Sequence, residues 1–206
     1  MTTPRDLVIT VMDEAPGHPV ERGEISLALA GAELIDLLAA GAVTLGGDQG
    51  DRIVPGHRTE TADRLLDQAV AALVREAPYE SVDDWLWRRG RDLASAYVAA
   101  LEADGHVRRQ RRSWMTFRPG RPVLTDASGR RLAGELRQTG KPALTALVTA
   151  VGIRDEGNAE AAAPGVADDA VDTVLAAVNG AVMELELLRQ RRAIEQSAFD
   201  NIWRGD

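Results

Sequence analysis

Apolar residues recur every three or four positions along most of the chain, the signature of amphipathic helices. Leu7, Val8, Val11 and Met12 share one helical face, and Ala15-Pro16-Gly17-His18-Pro19 predicts where that helix ends. Ile25, Ala28, Leu29, Ala32, Ile35 and Leu38 predict a second helix, with Gly41 just past its C-terminus. Leu65, Leu66, Ala69, Val70 and Leu73 predict a third, closed by Pro78. Ser81 followed by Asp84 has the form of a capping box and opens a helix through Trp85 and Leu86, which Gly90 interrupts. Leu93, Ala96, Tyr97, Ala100 and Leu101 line the next helix, stopped by Gly105.

Farther on, Asp126 is placed to cap a helix carrying Leu132 and Leu136. Another comes next on Leu144, Leu147, Val148 and Val151. The Ala-, Gly- and Pro-containing stretch from Gly157 to Gly165 predicts a loop. Val171, Val174, Leu175, Val178, Val182 and Leu185 support one or two closing helices, with Asn179-Gly180 as the break between them.

Two segments show strand patterning instead. Val43 and Leu45, the turn Gly46-Gly47-Asp48-Gln49-Gly50, then Ile53 and Val54 predict a β-hairpin. A second hairpin runs from about His106 to Leu124 and turns at Arg118-Pro119-Gly120-Arg121. Helix, glycine and hairpin thus occur twice, over Ile25–Val54 and Leu93–Leu124. Side chains outside the apolar frame do not match, so the echo reads as a common supersecondary unit. The fold class expected is mostly α: a single helical domain over residues 1–206 with two or more short β-hairpins.

Composition narrows the chemistry. With 45% apolar residues but only 4 Trp, 2 Tyr and 2 Phe, the core must be aliphatic. The absence of cysteine excludes disulfides, thiolate metal sites and cysteine nucleophiles. The polar start, Met1 to Asp6, lacks the apolar stretch of a secretory signal. No apolar run approaches the ~18 residues of a membrane span. The expected location is cytoplasmic, with peripheral contact at the inner membrane face.

Charge changes the picture more. The net charge of −8 argues against a whole-protein nucleic-acid binder. Yet residues 88–121 hold nine arginines against Asp92, Glu102 and Asp104, a local net of +6 in an otherwise strongly acidic chain. No P-loop and no Gly-x-Ser-x-Gly elbow is present. His18, His57 and His106 lack ligand spacing, so no metal or cofactor is expected. Asp83 and Asp84 suit a helix N-terminus rather than catalysis. Trp85 is expected in the core, and Trp87, two positions on, is freer to be exposed. No catalytic constellation emerges, so the expectation is a non-enzyme.

The arginines are the remaining candidates. Arg88, Arg89 and Arg91 surround Gly90, where backbone N–H groups would reinforce guanidinium forks against a phosphate. Strand alternation lets Arg109 and Arg111, or Arg108 and Arg112, point the same way. Trp114, Met115 and Phe117 come directly after, as at an interfacial surface.

The ordered elements resemble the Golgi phosphoprotein 3 family, and the chain is similar to a bacterial member. The resemblance rests on Leu7–Asp13, on Ile25–Leu37 followed by Gly41-Ala42-Val43, and on Leu66-Asp67-Gln68-Ala69. It continues through Ser81-Val82-Asp83-Asp84-Trp85-Leu86 and from Leu101 through Gly105-His106-Val107 into the hairpin behind it. It implies a helical fold with hairpins and a peripheral membrane adaptor that binds phosphatidylinositol 4-phosphate. The family's lipid-pocket positions fall near Glu21, Ala30, Arg91 and Ala94, and of these Arg91 keeps the residue type. The family's membrane-facing hairpin corresponds to Phe117, Arg118, Arg121, Val123 and Leu124. The expected function is therefore a non-enzymatic module for anionic phospholipid head groups, reading them through Arg88, Arg89, Arg91, Arg109 and Arg111. The alternatives are a winged-helix-like nucleic-acid regulator, with Arg118 and Arg121 at the wing, and a protein-binding adaptor without lipid affinity. A membrane scaffold works by avidity, so homo-oligomerisation is also expected.

Overall fold

A computed structural model describes residues 2–15, 19, 22–57, 61, 63–110, 121–125, 128–153 and 168–203. Their helices are α1 (Thr3–Glu14), α2 (Gly23–Ala39), α3 (Arg64–Ala72), α4 (Val82–Arg89), α5 (Leu93–Ala103), α6 (Ser128–Thr139), α7 (Pro142–Ala150) and α8 (Asp169–Trp203). Two antiparallel pairs interleave with them: β1 (Val43–Gly46) with β2 (Arg52–Pro55), and β3 (Val107–Arg109) with β4 (Pro122–Leu124). The mostly α architecture with two short hairpins is as the hydrophobic pattern predicts. The tip of the second hairpin and Asp126 lie outside the described residues, as does the stretch from Gly157 to Gly165.

α2 is the axis of the molecule. Ile25, Leu27, Ala28, Leu29, Ala30, Ala32, Leu34, Ile35 and Leu37 are all buried, so this helix is apolar nearly all round. α1, α3, α4, α5, α7 and α8 pack around it. Its end is a Schellman motif: Gly41 at φ 65° donates to Leu38 O, and Ala42 donates to Leu37 O. α5 ends the same way, with Gly105 at φ 77° donating to Glu102 O and His106 to Leu101 O. In both cases the chain turns directly into a hairpin, which is the physical content of the repeated helix–glycine–hairpin pattern. The first hairpin also anchors the start of α4. Ile53 donates to Glu80 O and Val82 to Asp51 O, which positions Ser81 to cap that helix. The Ser81 hydroxyl accepts from Asp84 N at 3.1 Å, as the capping-box pattern predicts.

Two expectations differ from the structure. α3 stops at Ala72, well before Pro78, because Leu73 adopts an extended backbone that turns its side chain into the core. Asn179-Gly180 does not break the last helix. α8 runs through it for 35 residues, held by Val174, Val178 and Ala181 on either side of the pair.

The α2–α8 crossing explains one glycine. A Cβ on Gly31 would lie 2.4 Å from the Val178 Cγ2 methyl, inside the contact limit of any carbon pair. Gly31→Val is expected to cost about 1–3 kcal/mol by overpacking this crossing. A thermal melt checks it, and an unchanged midpoint would mean that α8 slides along α2 freely.

Candidate functional site: the cleft at Gly90

Three arginines cluster around Gly90 in the sequence, but successive helical residues point about 100° apart. Their guanidinium groups therefore separate. Arg88 reaches Glu80 through two contacts of 2.6 and 2.7 Å, donates to Ala72 O at 3.1 Å, and lies 5.3 Å from the Trp85 ring centroid. Arg89 turns inward and grips Glu33 with a two-pronged pair at 2.7 and 2.8 Å, adding a bond to Leu65 O at 3.1 Å. The Tyr97 hydroxyl donates to the same carboxylate at 3.0 Å.

Glu33 has no exposed surface. Burial raises its pKa above the ordinary value, against the opposing pull of Arg89 and Tyr97. Desolvation and the neighbouring carboxylate push the Tyr97 phenol well above its usual range, so it stays a neutral donor. For Arg89, burial works against the charge, but the Glu33 pair outweighs it and holds the guanidinium more strongly protonated than usual. This network is an internal brace for α2, α4 and α5 that turns Arg89 inward, while Arg88 stays exposed on the Glu80 side.

Arg91 takes the third direction. It is exposed, and among the described residues no carboxylate pairs with it. It opens onto a cleft of about 300 Å³ lined by Gly23, Ser26 and Leu27 of α2, Trp87 and Gly90 at the end of α4, and Asp92, Ser95 and Leu185. The approach of the two chain segments requires Gly90. A Cβ there would lie 2.5 Å from Leu86 O and 3.1 Å from Ser26 O. Asp92 comes next in the left-handed region at φ 55°, which turns the chain into α5. Ser26 then caps α5 from outside by accepting from Ala94 N at 3.1 Å. The N-cap of α2, Arg22, makes no side-chain cap hydrogen bond, and Gly23, the first residue of that helix, lines the cleft.

Other sequence candidates lie elsewhere. Arg109 forms an ion pair with Glu102 at 2.8 Å on the second hairpin. Arg121 supplies its backbone carbonyl to Gln110 N, and Val123 and Leu124 are half-buried opposite Arg108 and Val107. Arg111, Phe117 and Arg118 lie outside the described residues. Among the described residues, no group of three or more potential metal ligands lies together. None of their helices is long and apolar enough to cross a membrane.

The cleft also holds residues that spacing did not single out. Trp87 is half-buried here rather than free in solvent, and Ser26 and Ser95 come from two different helices. The available signal was the Trp85–Trp87 pair beside a glycine. Nothing in the linear spacing brings Ser26 to it.

The family model described as Golgi phosphoprotein 3 (GPP34) matches residues 4–190, nearly the whole chain. The chain belongs to the Golgi phosphoprotein 3 family. No curated protein matches it. All the cleft residues fall inside the matched span. Of the positions that the resemblance assigned to a lipid pocket, Arg91 fronts the cleft. Ala30 is buried in α2, where its carbonyl accepts from Trp85 Nε1 at 3.1 Å. Ala94 is buried in the first turn of α5, and Glu21 lies outside the described residues.

Proposed function

We propose that this protein is a non-enzymatic peripheral membrane module that binds an anionic phospholipid head group in the Gly90 cleft. One observation carries the reading: Arg91, without a carboxylate partner among the described residues, faces a cleft that also offers an indole and two hydroxyls. Arg91 supplies charge-assisted bonds to a phosphate. The N-terminal end of α2, where Gly23 lines the cleft, favours the same negative charge. Trp87 gives a flat surface for a ring, while Ser26, Ser95 and the Asp92 carboxylate accept hydrogen bonds from hydroxyls. That set suits a phosphorylated polyol such as an inositol phosphate better than a plain carboxylate head group. Family membership supports phosphatidylinositol 4-phosphate as the first ligand to try.

The test is co-sedimentation with vesicles of neutral lipid, of neutral lipid plus phosphatidylserine, and of neutral lipid plus phosphatidylinositol 4-phosphate. Pelleting is expected with the phosphoinositide. Arg91→Ala should weaken it about tenfold or more, the scale of one charge-assisted contact at ~1.5–3 kcal/mol. Arg109→Ala serves as a distant control and should leave binding nearly unchanged. Equal pelleting on all three vesicle types at low salt would end the proposal.

A further inference from the structure

From Ala176 to Ile194, α8 carries a largely apolar seam that no described residue covers. Ala176, Gly180, Met183, Leu187, Gln190 and Ile194 have the alternating spacing of four and three that marks a coiled-coil interface. Met183, Leu187 and Ile194 are 68%, 63% and 67% exposed, although α8 buries Val174, Val178 and Ala181 on its other side. An ion pair between Arg189 and Glu24 ties α8 to the start of α2. Beyond it, residues 190–197 are all exposed. The helix continues to Trp203, roughly 20 Å farther at 1.5 Å per residue. The family match ends at residue 190, so this projecting part lies outside what the family describes.

The charges beside the seam indicate what covers it. Glu184 and Arg191 flank it on the same side, with Glu195 near the end. Both signs border the apolar strip, which therefore carries no net positive charge to draw it to an anionic bilayer. These charges favour a partner that presents arginine to Glu184 and glutamate to Arg191, and α8 itself is such a partner when reversed.

We propose that α8 pairs with α8 of a second copy of this chain as a two-fold antiparallel coiled coil, centred between Leu188 and Arg189. In that register Met183 meets the second copy's Ile194, and Leu187 meets the second copy's Gln190. Glu184 lies beside the second copy's Arg191, and symmetry repeats the attraction on the other side. Ala176 and Gly180 fall where the second helix passes over the body, and nothing lies within 4 Å of a Cβ added at Gly180. A glycine inside a long helix then has a role, since it lets the second helix approach closely. The antiparallel order also sets the two bodies at opposite ends of the helix pair, so they do not compete for space. The pairing is independent of the cleft at Gly90, which α8 touches through Leu185 on another face.

Sedimentation equilibrium on the full chain tests the pairing. A mass of twice 22.1 kDa is expected at micromolar concentration. Leu187→Glu combined with Ile194→Glu should return the mass to 22.1 kDa with the helical circular-dichroism spectrum unchanged. Glu184→Arg alone and Arg191→Glu alone should each weaken self-association about tenfold, since each turns two attractive contacts repulsive. Mixing those two variants in equal amounts should restore a tight heterodimer. A monomer at every concentration, or a dimer indifferent to Leu187→Glu, would overturn the proposal. Failure of the mixed pair to recover would overturn the antiparallel register. A monomer whose vesicle binding requires Leu187 would assign the seam to a bilayer and overturn the proposal as well.

Discussion

Arg89→Ala is expected to destabilise the fold by about 3–5 kcal/mol, the range found when one partner of a buried ion pair is removed. The loss comes from the group left behind. Glu33 is fully buried on the central helix, and without the guanidinium its carboxylate keeps only the Tyr97 hydroxyl. Burial already raises the Glu33 pKa above its ordinary value near 4.5, and losing Arg89 raises it further. Between the ordinary value and the raised one, the folded state holds more protons than the unfolded state. Stability therefore falls as pH rises through that window and returns as pH drops toward the ordinary value. Urea unfolding at pH 7 and again near pH 5 should show a smaller deficit at the lower pH. Glu33→Gln added to Arg89→Ala should recover much of the loss at pH 7, because a neutral amide keeps an acceptor for Tyr97. A deficit that ignores both pH and this second substitution would mean that packing, not the stranded carboxylate, is responsible.

Trp85→Ala should cost a similar amount, about 3–5 kcal/mol. Trp85 heads the fully buried side chains by volume, and its indole N–H donates to Ala30 O across the α2–α4 interface at 3.1 Å. Its ring also lies under Arg88, which is itself held by Glu80. Trp85→Phe keeps most of the buried area and loses the hydrogen bond, so about 1 kcal/mol is expected for it from that bond. The two variants together separate cavity from hydrogen bond. An alanine variant within about 1 kcal/mol of the parent, far below the usual cost of such a truncation, would show that α4 closes over the space.

The difference between Trp85 and Trp87 shows how far local pattern reaches. Periodicity alone assigns Trp85 to the core, because its neighbours on α4 are apolar at helical spacing. Trp87 lacks that context, and it is half-buried for a reason outside its own helix: the start of α2 and Leu185 of α8 come to meet it. The arginines carry the same lesson. Their adjacency in sequence suggested one basic surface, but helical rotation sends Arg88 to Glu80, Arg89 to Glu33 and Arg91 to the cleft. Glu80 lies in the segment before α4 and Glu33 on α2, and nothing in their spacing pairs them with an arginine.

What the sequence determined by itself was the set of local events: the Ser81 cap, the helix ends at the glycines 41 and 105, and the two hairpins. Each depends on backbone and side-chain chemistry within a few residues, which a chain carries wherever it folds. Tertiary structure decided the rest. Packing of Val174, Val178 and Ala181 carried α8 through Asn179-Gly180. Close approach at Gly90 joined α4 to α2 and formed the cleft. Ion pairing then selected among chemically identical arginines. These outcomes depend on distance between elements remote in sequence, and composition or spacing does not encode distance until the core has formed.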